Sequence, residues 1–353
     1  MFERTEKLIL DGVGNAYPCA AVAVGRGHEV FLRRFVGQRQ TQPFPLPVTE
    51  DTLFDLASVS KTVSATMITL KLWEEGKLSL DDPISRYLDA CGNYGDCRIR
   101  HLLTHTSGIR PHMPLDRMAH PQGVLQTILS SEPNCGIGEE VYYSCMGYIV
   151  LAGLLEKVCG EGLDRLAQRY VFDPLGMKTA CYSPDAGHSF AATEFCKEIG
   201  RWKTGTVHDE NACYLGGVAG NAGIFATLDD MVAFVGMCSA KGVTRAGEVY
   251  LKPTSFAEAL VNRTPTLSQS RGYGFQLKGD QPSPMGERMS RGSYGHTGFT
   301  GTSFYVDRES GFWGIFLTNA VHYGRDNRQP YFSLRRQFYD LMKTEADMLI
   351  GKG

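Results

Sequence analysis

Two β-rich segments lie near opposite ends of this 353-residue chain, and a mostly helical stretch separates them. Near the start, Ala20 to Val24 and Glu29 to Val36 flank Gly25-Arg26-Gly27-His28, the composition of a hairpin turn. Near the other end, Tyr294 to Val306 and Phe312 to Thr318 read as strands joined by Asp307-Arg308-Glu309-Ser310-Gly311. Sequential strands pair, and elements stack in few layers, so the economical fold puts both chain ends in one antiparallel sheet. Helices over about 3 to 13 and 329 to 346 would flank that sheet. The fold class is therefore α+β with an inserted, mostly helical region. It is one catalytic-sized unit over 1–353, with an α/β part from 1–60 and 285–353 and a helical part from 61–284.

Residues 59 to 75 contain neither Gly nor Pro and carry Val63, Met67, Ile68, Leu70, Leu72 and Trp73 before Gly76. That pattern is a helix apolar on more than one face, hence a buried one. Tyr148 to Val158 reads as a second helix, and Asp229 to Met237 as a third behind a Thr227 or Asp229 cap. A polar, Pro-containing loop fills the interval up to about residue 50.

Charge excludes some functions. Lys plus Arg number 36 and Asp plus Glu 38, for a net charge of -2, without a dense basic cluster. Such a balance argues against a nucleic-acid binder or a polybasic membrane protein. No run approaches the ~18 apolar residues of a membrane span. The opening MFERTEKLIL has no apolar core before a cleavage site, so a cytoplasmic protein without a signal peptide is the expectation. The ten cysteines contain no C-x-x-C and read as scattered reduced thiols.

The chemistry starts at Leu56-Ala57-Ser58-Val59-Ser60-Lys61-Thr62. Ser58 and Lys61 are three residues apart at a helix start, so their side chains share a face. A serine hydroxyl needs a base to become a nucleophile, and a desolvated lysine can be neutral enough to serve. The helix N-terminus adds free N–H groups and a favourable field for developing negative charge. The plainer alternative is a serine cap with a solvated lysine; the apolar context of Phe54, Leu56 and Ala57 favours the catalytic one.

FDLASVSK, followed by a helix ending in WEEGKLSLDDPI, resembles the nucleophile helix of the serine β-lactamase and penicillin-binding-protein superfamily. HLLTHTSGIR (101–110) and VFDPLGMKTACY (171–182) are similar to hallmarks of its class C branch, with the esterases and D-aminopeptidases related to it. The resemblance runs from about residue 15 to 345 and implies the β-lactamase-like fold.

The resemblance also implies roles. The family's Tyr-x-Asn falls on Tyr143-Ser144-Cys145, giving Tyr143 as general base and Cys145 where Asn is usual. A thiol is a weak substitute for a carboxamide donor and acceptor, which disfavours efficient lactam hydrolysis. The bordering Lys/His-Thr-Gly strand falls on His296-Thr297-Gly298, and the backbone N–H groups of Ser58 and Phe299 would form the oxyanion hole. His296 in place of lysine leaves a charge that depends on pH. Lys203-Thr204-Gly205 is a literal match but lies too early in the chain. His208-Asp209-Glu210 and the glycine-rich 216–223 stretch would wall the cleft, with His208 near the substrate. A metal at 208–210 is disfavoured, because adjacent residues do not converge on one ion. His101 and His105 lack a third ligand and read as structural.

No G-x-S-x-G elbow occurs, so an α/β-hydrolase is not indicated. The favoured reading is a carboxylesterase-type hydrolase working through an acyl-enzyme on Ser58. A β-lactamase, D,D-peptidase or D-aminopeptidase is the first alternative, and a non-catalytic binding scaffold the second. The partner is a small molecule with an ester, lactam or amide carbonyl. No cofactor, metal or nucleic acid is called for, and the sequence sets no oligomeric state.

Overall fold

The computed structural model of the chain describes every residue except 119, 121, 122, 198, 199, 327, 352 and 353. Its main sheet joins the two chain ends. Cys19–Arg26 pairs antiparallel with Phe312–Thr318, from Ala20 opposite Thr318 to Arg26 opposite Phe312. On one side of that pair lie Glu29–Gln40 and Leu46–Pro47; on the other lie Ser303–Val306, Tyr294–Thr297 and Gln276–Leu277, making seven antiparallel strands.

Cys19 to Gly25 is buried without a break. Side chains alternate across a strand, so both faces of the sheet must be covered. Ala20, Val22 and Val24 pack with Phe2, Ile9, Phe316 and Phe338 beneath the terminal helices Glu3–Gly12 and Gln329–Ile350. Cys19, Ala21 and Ala23 face the larger core, which includes the helix Leu228–Ser239. That helix is capped by Thr227, whose hydroxyl accepts from the Asp230 N–H, and not by Asp229.

A second sheet delivers the chain to the Ser58 turn. Thr52–Asp55 pairs with Ile224–Ala226 antiparallel and with Ser189–Phe190 in parallel, and Cys181–Tyr182 closes the other edge. Leu56 then donates to the Ile224 carbonyl (2.9 Å), and the apolar helix begins at Val59. It runs as Val59–Lys61, Thr62–Thr66 and Met67–Glu74, the middle piece wound as a π turn. Every residue from Val59 to Leu70 is buried, as its lack of a polar face requires.

One sequence expectation is corrected. Tyr294 to Val306 is two strands, Tyr294–Thr297 and Ser303–Val306, around a turn at 298–302, because Gly298 and Gly301 interrupt the run. Gly301 has φ +118, a conformation L side chains rarely adopt. Among the described residues no helix is long and apolar enough to cross a membrane, and no two cysteines are joined by a disulfide.

Candidate active site

The nucleophile turn is held in an unusual shape. Ala57 has φ +46, the left-handed region that a residue with a Cβ enters only under constraint. Asp55 supplies that constraint: Oδ1 accepts the Ala57 N–H (2.8 Å) and Oδ2 accepts the His208 N–H (2.6 Å). Burial pushes the Asp55 carboxyl up to about 6, and those two amide bonds pull against it. Ser58 follows at the head of the helix.

Lys61 lies wholly inside the protein, and its Nζ donates to Ser58 Oγ (3.0 Å), Asn221 O (2.8 Å) and Cys145 Sγ (3.5 Å). Three acceptors match the three protons of an ammonium. Burial alone would lower the lysine, but Cys145 and Tyr143 beside it outweigh that and hold it above its ordinary value. The neutral, proton-taking lysine expected from desolvation is therefore corrected: Lys61 is charged, and it orients the serine.

Tyr143 lies against this ammonium, its ring centroid 4.9 Å from Lys61 Nζ. Its hydroxyl is buried and has no hydrogen-bond partner. The neighbouring Ser144 caps the helix Cys145–Cys159, accepting the Gly147 N–H (2.9 Å) and donating to the Arg110 carbonyl (2.8 Å). With Ser144 pinned, Tyr143 and Cys145 both reach Lys61 from either side of it. His105, read from sequence as merely structural, packs its ring 4.4 Å from that of Tyr143 and accepts the Ser144 N–H at Nδ1 (3.0 Å). Burial pushes His105 well below the ordinary histidine value, and the Arg271 and Lys61 charges push the same way.

The strand Tyr294–Thr297 brings the opposite wall. A Cβ on Gly298 would sit 2.4 Å from the Leu56 carbonyl oxygen and 2.1 Å from Thr302 Oγ1, so only glycine permits the approach. Two hydroxyls strap the turn to the nucleophile segment: Thr300 donates to Asp55 O (2.7 Å) and Thr302 to Leu56 O (2.8 Å). The N–H groups of Ser58 and Phe299 donate to no protein group among the described residues. They are two unused donors on facing segments.

His296 does not carry the pH-dependent charge expected of it. Burial, with Arg271 and Lys61 nearby, pushes it down to about 3. The neutral ring puts its proton on Nδ1, which donates to Thr297 O (2.8 Å). His208 is buried behind the 298–302 turn, stacked on Phe299 at 5.5 Å and bonded to Glu194 at 3.1 Å. It therefore backs Phe299. The glycine-rich stretch does reach the site, through the Asn221 main-chain oxygen on Lys61; the Asn221 side chain donates to Asp209 (3.0 Å).

Tyr143, His296 and Thr297 line a cavity of about 210 Å³ together with Arg271, Gln276, Pro284 and Arg335. Larger cavities of about 510 and 630 Å³ lie around Tyr250 and Arg308 and contain none of these groups; the smaller one opens beside Tyr143 and His296, and Ser58 and Lys61 do not line it. Sequence reasoning missed Arg271, Asn221 and Asp55. Asp55 and Asn221 lie inside the FDLASVSK and 216–223 stretches, but the contacts that bring them and Arg271 to the site come from residues distant in sequence. Among the described residues no three His, Cys, Asp or Glu side chains group to hold a metal.

The chain matches the Beta-lactamase family over residues 5–336 and belongs to that family of serine hydrolases. It is similar to a protein of Escherichia coli strain K12 provisionally named D-alanyl-D-alanine carboxypeptidase, 28% identical over 90% of this chain and 82% of that one. A Salmonella typhi protein of the same name is 26% identical over the same shares. Two solved structures share the fold. The hydrolase EstCE1, titled as having promiscuous acyltransferase activity, superposes with a TM-score of 0.77 at 21% identity, covering 96% of this chain and 98% of that one. A penicillin-binding-protein homologue from Caulobacter crescentus gives 0.77 at 17% identity, covering 97% of each.

Proposed function

We propose that this serine hydrolase cleaves small acyl esters or amides through an acyl-enzyme on Ser58. The observation that carries the reading is the Ser58 hydroxyl, 3.0 Å from the Lys61 ammonium and set beside two amide donors that serve no other group among the described residues. Tyr143 receives the Ser58 proton, Ser58 Oγ bonds to the substrate carbonyl carbon, and the carbonyl oxygen becomes an oxyanion between the Ser58 and Phe299 N–H groups. Tyr143 returns the proton to the leaving group. It then draws a proton from water, whose oxygen bonds to the acyl carbon, and passes that proton to Ser58 Oγ as the Oγ–carbon bond breaks, releasing the acid and regenerating Ser58. Lys61 stays protonated throughout. His296, Thr297 and Cys145 border the acyl group.

A short-chain nitrophenyl ester, a chromogenic cephalosporin and a peptide ending in D-alanyl-D-alanine distinguish the substrate classes. Ester turnover with little lactam turnover supports the esterase reading. Faster turnover of the peptide than of the ester would overturn it in favour of the second reading, a carboxypeptidase, which the names of the 26–28% identical relatives support. A lack of any acyl adduct with all three would leave only the binding-scaffold alternative.

A further inference from the structure

Arg271 is a buried cation with no carboxylate bonded to it among the described residues. It precedes the strand Gln276–Leu277 and is 6% exposed, and its main chain is fixed by Thr264 Oγ1 (2.9 Å) and the Arg263 N–H (2.8 Å). Its side chain donates to the neutral Gln269 Oε1 at 2.5 Å, while Nε is buried without a partner. The guanidinium lies 5.5 Å from the centroid of the Tyr143 ring. A charge buried in this way is stable only if a negative charge forms nearby.

The elements packed around Tyr143 offer few candidates for that charge. The nucleophile helix brings Lys61, a cation, and the segment after Ile99–Leu103 brings His105, kept neutral by burial. The helix Cys145–Cys159 brings Cys145 and Tyr148, and burial pushes the Tyr148 hydroxyl up to about 12. The strands bring neutral His296 and Tyr305, the latter raised by burial, and the C-terminal helix brings Arg335, whose Nε is also unpartnered. No carboxylate lines the cavity. The hydroxyl of Tyr143 and the thiol of Cys145 are the groups that lie against these cations. Lys61 has three acceptors and its ammonium also acts on the Tyr143 hydroxyl, so Arg271 is a second cation beside that group.

We infer that Arg271 is a positioning residue for acyl transfer, its charge holding the Tyr143 oxygen in the proton-accepting form. This rests on the reading of Tyr143 as acceptor of the Ser58 proton. Arg271 touches neither substrate nor proton. It favours, through space, the state in which Tyr143 can take the proton as the Ser58 O–H bond breaks and the Oγ–carbon bond forms.

The test is kcat/KM against pH for a nitrophenyl ester, in wild type, Arg271→Met, Arg271→Lys and Tyr143→Phe, with unfolding midpoints recorded. Loss of a cation disfavours an anionic base, so Arg271→Met moves the acid limb to higher pH by about one unit or more, lowers the value at pH 7 about tenfold, and recovers in alkali. Arg271→Lys restores the limb. If Arg271→Met fails to fold, Arg271→Gln is read in its place. A profile scaled down without displacement, or a lysine variant as defective as the methionine one, overturns the inference. A Tyr143→Phe enzyme that keeps the wild-type limb instead overturns the underlying reading of Tyr143.

Discussion

Lys61 donates to the Ser58 hydroxyl across 3.0 Å from one turn further along the same helix, and it does so as a cation. Its other two protons are occupied by Asn221 O and Cys145 Sγ. The lysine therefore fixes where the serine points, and in the proposed mechanism the proton goes to Tyr143. That division of labour follows from the acceptor count and the surrounding charge.

Truncating the lysine removes both the orienting bond and the charge. Lys61→Ala should lose about 3–5 kcal/mol of transition-state stabilisation, by analogy with deletions in catalytic triads. Comparison of kcat/KM with wild type measures this. A loss of tenfold or less would show that the Lys61–Ser58 bond is incidental.

Gly298 tests the oxyanion geometry. An added methyl would meet Leu56 O at 2.4 Å, and backbone cannot yield as a side-chain tip can. Gly298→Ala should push the Phe299 turn off the nucleophile segment, cost about 1–3 kcal/mol of stability, and reduce kcat far more than it raises KM. Unchanged kcat would mean that the Phe299 N–H takes no part.

Cys145 lies where a carboxamide would both meet Lys61 and reach a substrate amide. Cys145→Asn should raise the ratio of amide or lactam to ester kcat/KM by about tenfold, since a neutral hydrogen bond contributes about 1 kcal/mol and more in a dry site. An unchanged ratio would show that residue 145 does not govern substrate class.

The proximity of Ser58 to Lys61 and the close approach at Gly298 were legible because each is local: a spacing of one turn, or a glycine where a strand must approach closely. The sheet built from both ends was legible because its strands carry turn-bounded β patterns. The charge states were not. Lys61 was read as neutral because its acceptors, Asn221 O and Cys145 Sγ, come from 160 and 84 residues away. His296 was read as pH-dependent because the sequence does not reveal that burial and Arg271 surround it. His105 looked structural until the fold set its ring against Tyr143, and the contact of His208 with Phe299 likewise exists only in three dimensions.

Acid should destabilise the fold over a definite range. His101 is pushed down to about 4 and His296 to about 3, and His105 lies well below its ordinary value, burial being the first cause in each. In the unfolded chain all three protonate near 6.5, so as pH falls below that value the unfolded state binds protons that the folded state refuses, and stability is lost. Asp55, raised to about 6, acts oppositely, gaining a proton in the folded state first. Burial lowers His208 and His322 as well and raises Glu156 alongside Asp55, so the lowered histidines outnumber the raised carboxyls and the unfolding midpoint should drop by about 5 °C or more between pH 6.5 and 4.5. His296→Phe should flatten that slope; a midpoint flat with pH in the parent protein would contradict the assignment.

The central claim is the covalent bond to Ser58. The most direct measurement is the intact mass of wild type and Ser58→Ala after brief exposure to a nitrophenyl ester, with peptide mapping of any adduct. The account predicts one acyl group on wild type, mapped to Ser58, and neither adduct nor turnover in a folded Ser58→Ala protein. An adduct on Cys145, or ester turnover that survives in Ser58→Ala, would contradict it.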